Sequence, residues 1–264
     1  MIKQTMPKNQ PDPVILIEQA LSRQDFILGS SLLIEHSRDL LQPGRLPELK
    51  NLISRIPMDC QMENPKLMLI SANADYQGGE LSSAQRTLLT AIPVFQKLKD
   101  VSSLSASYRY LAYIHQDMGD NLKAVQCCRR GLKILPPGDY RGRAGLLSAL
   151  AGCQWRLMKY KPARQTYQKV MAIYVQAQDK EGQMRTIANS SAITILLGDL
   201  DQARREKEEV LRFYQDHGNR RSYCLAAVNL SSLYQETYQL EKAEALLSSA
   251  LPEIQEMGMG MMIL

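Results

Sequence analysis

Apolar aromatic residues are scarce in this 264-residue sequence: three Phe and one Trp stand beside twelve Tyr. Long hydrophobic runs are missing as well. Stretches such as Leu67–Ile70 fall far short of the roughly 20 apolar residues a membrane-spanning helix needs. Met1-Ile2-Lys3-Gln4 opens the chain without an apolar core behind a basic end, so no secretory signal is read and a cytoplasmic location is expected. There are five cysteines, an odd number, and Cys127 and Cys128 are neighbours in sequence. Neither a disulfide framework nor a zinc pattern fits them, so free thiols are expected. The three histidines lie far apart, which argues against a metal site. No Gly-x4-Gly-Lys-Ser/Thr occurs, so that phosphate cradle is absent from these residues. No nucleophile–base pair or paired carboxylates announce themselves, and the chain is read as non-catalytic and without a cofactor. A net charge of +5 with 45% hydrophobic residues excludes a disordered composition.

What the sequence does have is a repeat. The pattern Gly-polar-x-x-x-Ala recurs so that alanines fall at 84, 124, 163, 203 and 243, separated by 40, 39, 40 and 40 residues. Twelve residues before each comes a small residue: Ala72, Ala112, Ala151, Ser191, Ser231. Seven after it come Ala91, Gly131, Val170, Val210 and Ala250, and one further on Ile92, Leu132, Met171, Leu211 and Leu251. Small residues on both sides of a turn let two antiparallel helices cross closely. Gly79, Gly119 and Gly198 would end the first helix in a left-handed cap. Asp120 and Asp199 would cap the second, and Pro162 suits a first helical turn. Each unit therefore reads as helix A, tight turn, helix B, loop. In Asp201–Asp216, Ala203, Val210, Leu211 and Tyr214 form the expected buried stripe, and Glu206, Lys207, Glu208 and Glu209 its solvated face. With no sustained strand alternation the chain is all-α. The expected division is a disordered segment 1–13, a helical lead-in 14–64, five repeats over 65–256 and an apolar tail 257–264.

The small–turn–alanine columns resemble the tetratricopeptide repeat, whose usual period is about 34 residues. Tyr234 and Trp155 stand near the family's large aromatic, and Asp75 departs from it. The N-terminal third reads Ala20-Leu21, Asp25-Phe26, Leu40-Leu41-Gln42-Pro43-Gly44-Arg45-Leu46-Pro47-Glu48-Leu49, Ile56-Pro57, Asn64-Pro65-Lys66-Leu67 and Gly79-Glu80-Leu81-Ser82-Ser83-Ala84. It resembles the start of the superhelical sensor region in MalT-like, LuxR-type ATP-dependent transcriptional regulators of bacteria. The resemblance implies a right-handed superhelical solenoid of antiparallel helix pairs that senses a signal, beside an ATPase and a helix-turn-helix module. The chain ends near where a further helix A would begin, so the expectation is a sensor arm alone.

In this family helices A line the concave face. Carrying its inward positions over gives Asn73, Tyr76, Arg109, Tyr113, Gln116, Trp155, Arg156, Arg185, Asn189 and Gln235. Such a set suits a protein or peptide partner, or a small effector. A stand-alone adaptor holding a partner's peptide is the other reading. Basic pairs at Arg129-Arg130, Arg141/Arg143, Arg204-Arg205 and Arg220-Arg221 are interleaved with acids, so direct nucleic-acid binding is not expected. Solenoids need polar caps at their ends, so the uncapped Met-rich C-terminal end offers a surface for self-association.

Overall fold

The computed structural model describes residues 12–41 and 43–256. The segment expected to be disordered lies outside the described residues up to residue 11, and the tail 257–264 lies outside them altogether. The described residues contain no strand. The helices are α1 (Pro13–Ser22), α2 (Phe26–Glu35), α3 (Ser37–Leu40), α4 (Leu46–Ser54), α5 (Met58–Glu63), α6 (Lys66–Gln77), α7 (Leu81–Leu98), α8 (Val101–Asp117), α9 (Asn121–Ile134), α10 (Tyr140–Arg156), α11 (Tyr160–Gln176), α12 (Lys180–Leu196), α13 (Leu200–Asp216), α14 (Arg220–Glu236) and α15 (Leu240–Glu256), with a 3₁₀ turn at Pro43–Arg45. Two compact units divide between Ile114 and His115, inside α8.

In the first unit, α1 to α5 and the start of α6 gather large aliphatic residues. Ile17, Leu33, Leu40, Leu49, Leu52, Ile56 and Leu67 are all buried in one cluster. Asp12 caps α1 by accepting from the Val14 amide (3.0 Å) and pairs with Arg45 (3.2 Å). The pair of α6 and α7 follows, antiparallel and in contact. The second unit is a sequential stack in which α9 through α15 each contact the next helix. Helices α10 and α12 also touch, as helices A of adjacent repeats do when they share one side of the stack.

The repeat columns explain why the stack is tight. Ala84, Ala124, Ala163 and Ala203 are fully buried and Ala243 nearly so, opposite the buried Ala72, Ala112, Ala151, Ser191 and Ser231. The two serines satisfy their hydroxyls on Ala188 and Val228 carbonyls of their own helices. Five residues before each alanine the backbone is left-handed: Gly79, Gly119 and Gly198 have φ of 81°, 83° and 86°, and Met158 and Tyr238 both have 58°. Glycine takes that conformation freely. A side chain there costs about 1 kcal/mol or more. Asp120 and Asp199 accept from the Lys123 and Gln202 amides at 3.1 and 3.0 Å. A second column of caps precedes helices A: Asp100, Asp139, Asp179 and Asn219 accept from Ser103, Gly142, Gly182 and Ser222 amides at 2.8–3.1 Å.

Two expectations are corrected. The stretch Glu206–Glu209 is not a solvated face, because only Glu209 is exposed. Thr194 donates to Glu206 (3.1 Å) and the Tyr234 hydroxyl to Glu208 (3.1 Å). Lys207 stands four residues after its repeat alanine, where the other units carry Leu88, Cys128, Tyr167 and Leu247, and burial pushes its ammonium down from the ordinary value. Trp155 is also out of register with the large aromatic of Tyr234. Nine residues before the alanines stand Asp75, His115, Gln154, Thr194 and Tyr234. Several of these tie helix A to helix B by polar contacts: Ser83 to Asp75 (2.7 Å), Thr166 to Gln154 (2.8 Å) and Thr194 to Glu206. Buried Asp75 further binds Lys50 of α4 at 2.9 Å. Burial works against the Lys50 ammonium, but its bonds to Glu80 and Asp75 outweigh that and raise its pKa. Trp155 lies one residue later, 39% exposed.

Candidate ligand surface

In the first unit, the helix A residues α6 and α8 bring forward make an aromatic cluster. The Tyr76 ring stacks on Tyr113 with centroids 6.2 Å apart and planes 23° from parallel. Tyr110 closes the triangle, 6.4 Å from each, edge-on to Tyr113 and tilted to Tyr76. All three are partly exposed. The Arg109 guanidinium sits 5.5 Å from the Tyr110 ring centroid, where the ring's negative face attracts it. Its Nε is buried without a hydrogen-bond partner. Asn73, one turn before Gln77, accepts from that amide at 3.2 Å. Tyr76, Arg109 and Tyr113 thus lie together, and Asn73 stands one turn before Gln77 on the helix that carries Tyr76. Tyr110 was missing from the expected set, although the spacing Tyr108-x-Tyr110-x2-Tyr113 marks a helix with rings on more than one side.

In the second unit the expected residues have different fates. Gln116 is buried, and its amide donates to the Ala149 carbonyl (3.1 Å) and the Cys153 sulfur (3.0 Å). It therefore joins α8 to α10 rather than presenting itself. Arg156 reaches back to the Gln116 carbonyl and to Asp117, both at 3.4 Å. Arg185 donates to the Tyr174 hydroxyl (3.0 Å) with its guanidinium 5.7 Å from that ring's centroid. Burial works against the Arg185 cation, but the bond to Tyr174 raises its pKa on balance. Asn189 is exposed. Gln235 borders a cleft of about 390 Å³ with Leu240, Ala243, Glu244, Leu247, Ser248 and Leu251, on the α14–α15 pair.

The cysteines are free, as expected: Cys127, Cys128, Cys153 and Cys224 are buried and Cys60 is partly so. Cys128 and Cys153 share a hydrogen bond that favours the thiolate on Cys153 and raises Cys128. Among the described residues no group of His, Cys, Asp or Glu is arranged to hold a metal ion, and no helix is long and apolar enough to cross a membrane. Two of the basic pairs are partly neutralised: Arg204 pairs with Asp201 and Glu208, and Arg220 with Glu253 and Glu256.

No protein-family model matches the chain. Solved structures do share its fold. The chain is similar to the apo form of RapI, at 11% identity over 92% of this chain and 98% of that one, with a TM-score of 0.68. It is similar to NprR in complex with its cognate peptide NprX, at 13% identity over 92% and 76%, TM-score 0.66. A signal transduction ATPase with numerous domains and a tetratricopeptide repeat sensor, from Pyrococcus horikoshii, matches at 13% identity over 94% of this chain and 40% of that one, TM-score 0.64. The chain has a tetratricopeptide-like helical repeat fold.

Proposed function

We propose that the chain binds a peptide segment through the helix A faces, and that it does so as the sensor region of a MalT-like regulator. The observation that carries the binding reading is the Tyr76–Tyr110–Tyr113 cluster with Arg109 beside it. Three partly exposed rings offer apolar contact at low entropic cost. A guanidinium with an unused buried N–H offers orientation to a carbonyl or carboxylate of the ligand. The second unit has helix A residues of its own suited to contact, Trp155, Arg156, Arg185, Asn189 and Gln235, while Gln116 holds its neighbours in place. NprR, which shares the fold, is seen with a peptide, and the Pyrococcus protein uses such repeats as a sensor. These support the peptide reading and the regulator reading respectively. A stand-alone adaptor binding a partner's peptide uses the same faces, and an ATPase in the same reading frame would separate the two.

A peptide-display selection against the folded chain tests the binding reading. Peptides recovered on wild type should lose at least about tenfold in affinity on Tyr76→Ala/Tyr113→Ala and on Arg109→Gln, equivalent to about 1.4 kcal/mol. Equal binding to all three proteins would place the interaction elsewhere and sink the proposal.

A further inference from the structure

In the second unit, consecutive antiparallel helices put the A-to-B turns on one edge of the stack and the B-to-A turns on the other. The two edges differ sharply. The A-to-B edge carries Leu122 (66% exposed), Met158 (76%), Leu196 (53%), Leu200 (44%), Tyr238 (90%) and Leu240 (62%). Among the described residues the B-to-A edge is built from Pro136-Pro137-Gly138-Asp139, Ala177-Gln178-Asp179 and His217-Gly218-Asn219, with Val175 as its large exposed apolar residue. Soluble monomers seldom keep apolar side chains gathered this way. The two most exposed of the six, Met158 and Tyr238, also hold the left-handed backbone that glycine holds in the turns at Gly119 and Gly198. The chain thus bears strain at the positions where the apolar edge protrudes furthest.

Charge along the same edge indicates the partner. The turn around Met158 is basic, with Arg156, Lys159, Lys161 and Arg164 all exposed and, among the described residues, Arg156 alone paired, with Asp117 at 3.4 Å. Among the described residues Lys159 and Lys161 make no ion pair. The next turn on the edge, Ile195–Ala203, carries exposed Asp199 and Asp201, and Arg204, the residue after it, reaches Asp201 at 3.4 Å. Adjacent patches of opposite sign are self-complementary under a two-fold axis passing between them. Such an axis lays the basic turn of each copy on the acidic turn of the other and sets Met158 against Leu196 and Leu200 of the second copy. Isologous dimers require this relation.

We propose that the A-to-B edge of the second unit is a homodimer interface, centred between the Lys159/Lys161 turn and the Asp199/Asp201 turn. The four charges that define it, Lys159, Lys161, Asp199 and Asp201, are not among the ligand-surface residues, and Arg156 is shared by the two surfaces.

Sedimentation equilibrium of the purified chain over the micromolar range, with charge-reversal variants, tests it. Wild type should self-associate. Lys159→Glu/Lys161→Glu should raise the dissociation constant roughly tenfold or more, since like charges then face each other. Asp199→Asn/Asp201→Lys should do the same while keeping a capping side chain on α13. An equimolar mixture of the two variants should recover the dimer, because each reversed turn then meets its opposite. That recovery also shows that both variants fold. Met158→Gly/Tyr238→Gly should melt higher yet associate more weakly. A wild type that stays monomeric, a dimer indifferent to the charge reversals, or two weakened variants that fail to pair with each other would each overturn the proposal.

Discussion

The lead-in helices and the repeats build their cores from opposite materials. Between α1 and α6 the buried cluster is made almost wholly of Leu and Ile, with Ala74 as its one small member. From α6 onward the buried column positions next to the turns are Ala and Ser, with Val170 and Val210 in the column seven residues after the alanines. The first arrangement gains its stability per side chain from apolar area removed from water. The second depends on what is not there: a methyl or a hydrogen where another fold would have a branched chain. The same substitution therefore has opposite meaning in the two regions, and the difference can be measured.

Truncation should hurt the lead-in most. Leu49 is fully buried in that cluster. Leu49→Ala should cost about 2–5 kcal/mol, the range for emptying an aliphatic site, read as a fall in the urea midpoint with circular dichroism. Enlargement should hurt the repeats. Ala163 is fully buried in a cluster with Ala151, Tyr167 and Ile193. Ala163→Leu should cost about 1–3 kcal/mol by overpacking, with hydrogen exchange accelerating first in α10 and α11. If Ala163→Leu is neutral, the crossing is looser than its burial indicates and the contrast between the two regions fails.

The caps come next in size. Asp139 accepts from the Gly142 amide at 2.8 Å. Its removal in Asp139→Ala should cost about 1 kcal/mol, and Asp139→Asn should restore most of it. A Cβ built on Gly142 would meet the Asp139 carboxylate at 2.6 Å, so Gly142→Ala should disturb the same cap without touching the apolar core.

Most of the repeat architecture was legible in the sequence because the physics behind it is local. An alanine every 40 residues, a glycine five before it and an aspartate between them each answer to a backbone requirement that does not depend on the rest of the fold. The ligand surface was only half legible, for a corresponding reason. Position on helix A picked out Tyr76, Arg109 and Tyr113, whose rings and guanidinium gather around Tyr110. The same rule could not show that Gln116 spends its amide on α10, or that Lys207 and the adjacent glutamates are drawn into the seam beside α14, because those outcomes depend on which side chains arrive from the next helix. Nor could it single out the A-to-B edge. An exposed Met158 or Tyr238 is ordinary alone and becomes notable only when the turns line up.

The smallest effect separates the two regions by pH. The column nine residues before each alanine is polar in most units, and His115 is its histidine, partly buried beside Asp120 and Lys123. Burial, opposed by Asp120 and reinforced by Lys123, lowers its pKa below the ordinary 6.5. The unfolded chain therefore takes up this proton at higher pH than the folded one. Stability from the neutral ring is complete above pH 6.5 and drains away as pH falls from there to the folded value, below which the loss is constant. The aliphatic cluster of the lead-in contains no such group. His115→Gln should thus remove a slope in melting temperature between neutral and mildly acidic pH, while Leu49→Ala should lower the curve and leave that slope in place. A slope unchanged in His115→Gln would mean the ring is solvated in both states, and the polar column would then be a contact between surfaces rather than a seam.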